Sequence, residues 1–175
     1  MSSLGESLLR RVRSFDPPGL SGRFRAESPD RPPVEAVFSY AKPDRWRVRY
    51  GTGLERIVAG PEWWERTASG PWTRQVDERG VGVHHDGPLV ALVRPVTMGF
   101  LAPGGQLADV RATPVENELT RLRFRALAPE AVTVTLDVEI SGLVRRAEAE
   151  GTVLSLSDVV HAVPDPSLFA PPTPS

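Results

Sequence analysis

At 175 residues, with 40% hydrophobic and 25% charged side chains and a net charge of −1, the chain has the make-up of one ordinary globular domain. The near-zero charge gives no global pull toward nucleic acid or anionic lipid, and no apolar run approaches the roughly 18 residues of a spanning helix. Cysteine is absent, which excludes disulfides, thiolate nucleophiles and cysteine-bound zinc.

Lys42 is the only lysine beside a large excess of arginine; with the many Ala, Gly and Pro, this reads as genomic composition rather than as arginine chemistry. The N-terminus has no apolar core followed by a small-residue cleavage site, so the sequence as it stands predicts a cytoplasmic protein; a truncated start would instead predict a periplasmic or extracellular one. Leu4, Leu8, Val12 and Phe15 recur at helical spacing and predict an amphipathic helix, with Arg10, Arg11 and Arg13 off the apolar stripe. Such a helix packs on its own domain or lies on a membrane surface. Asp16-Pro17-Pro18-Gly19 then stops it.

Residues 20–28 alternate Phe24 and Ala26 with Arg23 and Arg25, the period of a strand with one buried face. A turn-rich break is expected from Ser28 to Pro33. Residues 34–41 and 45–51 then form a hairpin about Lys42-Pro43-Asp44, which pairs Tyr40 with Trp46, Phe38 with Val48 and Ala36 with Tyr50. Arg45, Arg47 and Arg49 fall on the opposite face, away from Trp46, which argues against bases stacking on these aromatics.

The stretch DGPLVALVRPVTMGFLAPGGQLADV changes texture: Asp86 is placed to cap a helix and Pro88 suits its first turn. Pro95 and Gly99 predict two short broken helices rather than one. A second hairpin at 118–140, about Ala128-Pro129-Glu130, pairs Leu122 with Leu136 and Phe124 with Val134. On its other face Arg121 meets Asp137 and Arg123 meets Thr135, with Glu139 alongside. Three arginines that suggest a nucleic-acid patch thus read as a charge-balanced solvated face. Strands at 143–149 and 152–162 and a proline-rich tail close the chain.

The order of elements and several short motifs resemble the LolA and LolB lipoprotein-localisation factors of bacteria and the related sensor domain of RseB. Residues 9–24, LRRVRSFDPPGLSGRF, are similar to the family's first helix and strand. YAKPDRW (40–46) is similar to its strand-end motif, and Ile57-Val58-Ala59-Gly60 followed by Trp63-Trp64 to its strand turn. Gly87-Pro88-Leu89-Val90-Ala91-Leu92 resembles the lid helix, and Leu168-Phe169-Ala170-Pro171-Pro172 the terminal Phe-x-x-Pro. The resemblance implies an α+β fold: a strongly curved antiparallel sheet, or incomplete β-barrel, with an N-terminal helix and short lid helices over the concave face. It implies a single domain over 1–175, with the helix at 1–15, strands at 20–85, lid helices at 86–102, strands at 106–162 and the tail at 163–175.

The same resemblance implies non-enzymatic binding, without a cofactor, of a hydrophobic ligand such as a lipid, an acyl chain or a lipidated peptide, in a carrier or sensor role. The alternative is a regulatory module that binds a protein segment. The implied ligand-binding residues are Phe38, Tyr40, Trp46, Val48 and Tyr50 from the sheet and Leu89, Leu92, Val93, Met98, Phe100 and Leu101 from the lid. Lys42 stands at the rim, where the carriers have a basic residue used in accepting and releasing lipoprotein. The same aromatics also serve as ordinary core packing, and both readings stand at this point.

Chemistry-bearing constellations are sparse. His84-His85-Asp86 is the one cluster of metal-ligand types, but adjacent strand residues point to opposite faces, and a third ligand such as His161 is remote in sequence. No G-x-S-x-G elbow is present, and Gly104-Gly105 belongs to no phosphate-loop pattern. A non-enzymatic protein is expected.

Overall fold

The computed structural model describes residues 3–76, 86–127 and 131–173. Helix α1 spans Leu4–Ser14 and begins with a reciprocal cap. The Ser3 hydroxyl accepts from the Glu6 N–H at 3.2 Å, and the Glu6 carboxylate accepts from the Ser3 N–H at 3.1 Å. That satisfies two N–H groups that a helix start otherwise leaves bare. The Ser3-Leu4-Gly5-Glu6 order announces this cap, and it sets the start more sharply than the apolar stripe does.

The stripe itself differs from expectation. Gly5, Leu8, Leu9 and Val12 are buried, whereas Leu4 is 67% exposed and Phe15 only half-buried. The reason is a close approach: a Cβ on Gly5 would lie 3.2 Å from the Val110 Cγ1. The glycine lets the helix settle against a strand, and this rotates Leu4 outward.

Among the described residues, eleven strands follow: β1 Gly19–Ser28, β2 Arg31–Ala41, β3 Arg45–Tyr50, β4 Glu55–Ala59, β5 Glu62–Arg66, β6 Thr73–Val76, β7 Leu107–Pro114, β8 Thr120–Ala126, β9 Val132–Val138, β10 Val144–Ala149 and β11 Thr152–Val160. They form one antiparallel sheet in the order β6-β5-β4-β3-β2-β1-β11-β10-β9-β8-β7. Its ladder does not close, as an incomplete barrel requires, and the sheet is accompanied by an N-terminal helix and by short helices between β6 and β7.

The break expected at 28–33 is confined to Pro29 and Asp30, because β2 already begins at Arg31. Pro32 and Pro33 sit in its exposed outer end. Proline's fixed φ is compatible with an extended chain, and it lacks only a ladder donor. Between β6 and β7, helix α2 spans Gly87–Val93 and 3₁₀ turns span Pro95–Thr97 and Gly99–Leu101, so the break falls where Pro95 and Gly99 require it. Asp86 does occupy the cap position, but its side chain makes no capping hydrogen bond to the helix. His84 and His85 lie outside the described residues.

Two compact units emerge. One takes residues up to Asp16, Ala26–Pro33 and Asp86–Leu156; the other takes Pro17–Arg25, the stretch from Val34, and the chain from Ser157. The core of the first unites Leu8 and Val12 with Leu92, Leu122, Phe124, Leu136 and Leu143. That of the second is built on Leu20, Phe24, Phe38, Tyr40, Trp46 and Val48, while Ile57 and Trp64 are buried on the opposite face of the strands, the one that carries Arg47. In the first unit Gly142, at φ 100°, brings the β9–β10 turn onto α1, where a Cβ would lie 2.6 Å from the Arg11 carbonyl oxygen. Only glycine suits both conditions.

Candidate functional site

The β2–β3 hairpin has the register read from the sequence: Tyr40 opposes Trp46, Phe38 opposes Val48 and Ala36 opposes Tyr50. The Tyr40 and Trp46 rings are 4.4 Å apart between centroids, and the Trp46 indole N–H donates to Asp44 at 3.2 Å. Such tilted aromatic pairs gain beyond their buried area. Phe38, Tyr40, Trp46 and Val48 are each at most 2% exposed. In this conformation they present no free surface to a ligand.

The other face of the same strands carries a buried carboxylate. Glu55 of β4 is 5% exposed and accepts from Arg47 Nε at 2.8 Å and from Arg66 Nη2 at 2.8 Å. Burial raises the Glu55 pKa, but the hydrogen bonds and positive charges of Arg66 and Arg47 outweigh it and hold the carboxyl below its ordinary range. The tail locks onto this face. A 3₁₀ turn at Pro166–Phe169 buries Phe169, Arg47 donates to the Leu168 carbonyl at 3.3 Å, and the Arg45 guanidinium lies 5.7 Å from the centre of the Phe169 ring. Arg45 and Arg47 therefore turn away from Trp46, as their alternation required, and hold the tail.

Tyr50 is the one sheet residue of the expected set that is only half-buried. With Phe24 and Ala36 it lines a pocket of about 250 Å³, rimmed by Arg23, Arg25 and Arg49. Arg25 pairs with Glu35 on that rim, and the Arg56 guanidinium lies 5.8 Å from the centre of the Tyr50 ring. Sequence reading finds Tyr50 through the hairpin register. It misses Phe24 as its neighbour, because alternation within β1 tells which face a residue takes but not which strand lies beside it.

The lid residues belong to the other unit. Helix α2 packs on β10, with Leu89, Leu92 and Val93 buried. Leu101 is buried as well, whereas Met98 and Phe100 keep partial exposure; the Phe100 ring lies 5.9 Å from that of Phe124. Lys42 is exposed at the β2–β3 turn, its backbone N–H bonded to the Pro18 carbonyl at 3.0 Å. Among the described residues, no group of three His, Cys, Asp or Glu is placed to hold a metal, and no helix is long and apolar enough to cross a membrane.

No protein-family model matches the sequence, and no curated protein does. Solved structures do. MucB aligns over 98% of this chain and 64% of its own, with 14% identity and a TM-score of 0.61. The fold is that of MucB. An uncharacterized conserved protein from Thermus thermophilus shares it over 97% of this chain and 95% of its own, at 9% identity and a TM-score of 0.58. A LolA superfamily protein, NE2245 from Nitrosomonas europaea, aligns over 97% of this chain and 99% of its own, at 12% identity and a TM-score of 0.44. The chain spans about 64% of the length of MucB.

Proposed function

We propose that the chain is a non-enzymatic binding module that holds a segment of a protein partner, seating one apolar side chain of that segment against Phe24, Ala36 and Tyr50. The observation that carries this reading is that Tyr50, alone of the aromatics on this face of β2 and β3, stays only half-buried, at the mouth of an open pocket. Phe38, Tyr40, Trp46 and Val48 are filled in by the protein itself, while the open pocket at Tyr50 measures about 250 Å³. Sites for small-molecule ligands run from about 300 to 1,000 Å³, so this one is small for a lipid but adequate for a single anchoring side chain. MucB, whose fold the chain shares, also has a structure in complex with MucA(peri).

The test sets wild type beside Tyr50→Asp. The wild-type chain is expected to capture a stoichiometric protein from lysate, and Tyr50→Asp to weaken that capture by about tenfold or more, the loss typical of an interface anchor. Circular dichroism of the variant checks that the strands survive. Native mass spectrometry showing a co-purified lipid, with no protein captured, would overturn the reading.

An acyl-chain ligand is the second reading. It is favoured by the continuity of Phe38, Tyr40, Trp46 and Val48 on one face of β2 and β3. It requires those side chains to be uncovered, so an added fatty acid should shift tryptophan emission in the wild type and not in Trp46→Phe.

A further inference from the structure

On the solvent face of β7 to β10, arginines and acids are matched row by row, with one exception. Arg121 lies across from Asp137 and donates to it from Nε at 2.7 Å and Nη2 at 2.9 Å. Arg146, the next partner of Asp137, bonds Glu148 at 2.7 Å. Arg125 reaches Asp109 at 3.7 Å. Between these pairs, Arg111 of β7 stands directly opposite Arg123 of β8. Both are exposed, and among the described residues neither guanidinium makes a hydrogen bond or ion pair. Like charges placed opposite one another weaken a sheet, and directly opposed Cα atoms lie only about 4.5–5.5 Å apart. The neighbour of Arg123 on its other side is Thr135, which offers a hydroxyl and no charge.

We propose that Arg111 and Arg123 form a binding site for a carboxylate side chain of an acidic segment in a protein partner. Two guanidinium forks at this spacing converge on one oxyanion, and a planar fork matches a carboxylate with two parallel hydrogen bonds. An incoming Asp or Glu would continue the arginine–carboxylate alternation that the rest of the face already has. The surroundings favour a segment over a small molecule. Arg111 and Arg123 line a shallow pocket of about 300 Å³ with Arg125, Asp109 and Thr133. Arg123 also borders a neighbouring one of about 360 Å³ beside Thr135, Arg146 and Glu148. Adjacent shallow depressions on a polar face suit a chain laid across them, and the acids at their margins disfavour a polyanion. The choice of a protein segment as occupant rests on the reading given above.

The probe is a dansyl-labelled dodecapeptide with Glu at every second position, followed by fluorescence anisotropy at low salt, with its Gln counterpart and inorganic phosphate alongside. The wild-type chain is expected to bind the Glu peptide and not the Gln one. The double variant Arg111→Ser/Arg123→Ser should lose about tenfold in affinity, two exposed ion pairs' worth. Arg10→Ser/Arg31→Ser, which removes two other exposed arginines, should bind as the wild type does. Equal binding by Arg111→Ser/Arg123→Ser, or equal loss in the control variant, would overturn the site. Phosphate binding without peptide binding would overturn the occupant. Neither failure touches the Tyr50 test, since Tyr50→Asp leaves both arginines in place.

Discussion

Buried between Arg47 and Arg66, Glu55 ties one carboxylate to the acid stability of the second unit. Its pKa is depressed in the fold, so the stability it contributes is fully present above its ordinary carboxylate pKa and is lost as pH falls through the lower folded value. Urea melts of the wild type should therefore weaken as the pH drops below about 4.5. Glu55→Gln should remove that part of the slope and cost roughly 1–3 kcal/mol at neutral pH, because both arginines lose a charged partner. A pH-stability profile for Glu55→Gln that parallels the wild type would refute the assignment. At this scale the sequence was uneven. Glu55 is an unremarkable acid in a strand, and nothing in its spacing shows that Arg66, from the next strand, meets the carboxylate that Arg47 already holds. Asp86 is legible in position only: residue type and place put it at the start of α2, where it stands, but its side chain makes no hydrogen bond to the helix.

Adjacent positions on one strand test whether the β8–β9 hairpin keeps its register. Phe124 is 1% exposed and opposes Val134, while Arg123 beside it faces solvent. Phe124→Ala should cost about 3–5 kcal/mol in urea denaturation, as large-to-small core changes do. Arg123→Ser should stay within about 0.5 kcal/mol, since it empties no space and strips no partner. Comparable losses at both positions would mean that the strand has slipped, because a one-residue shift exchanges its faces. The hairpins were the most legible part of this chain. Short connections leave few registers, and alternating hydrophobicity chooses among them, which is why all three pairs of β2–β3 and those of β8–β9 follow from counting residues. What counting could not reach was β7. Asp109 takes a left-handed conformation at φ 57°, and the register shifts between Ala108 and Arg111. A bulge of this kind resets which residue faces which, so the opposition of Arg111 and Arg123 was hidden while Arg121 and Asp137 were in plain view.

Across the whole molecule, ten strands are arranged as two runs of sequence neighbours, β1 to β6 and β7 to β10, and β11 lies between β1 and β10. That position was the least legible feature, because period-two patterning marks the face a strand buries and is silent about a partner more than a hundred residues away. Contacts this distant must overcome loop-closure entropy before they stabilise anything, so the last strand is expected to govern cooperativity. A chain ending at Gly151 would lose β11 together with the Pro166–Phe169 turn, and leave β1 and β10 each with an unpaired edge inside what had been a continuous ladder. Exposed edges of that length pair with other chains. The shortened chain should show no single cooperative thermal transition by circular dichroism, and it should scatter light on warming at concentrations where the full chain stays clear. If it instead melted in one transition at the wild-type midpoint, the two runs of strands would be stable without their shared neighbour, and β11 would be dispensable to the sheet.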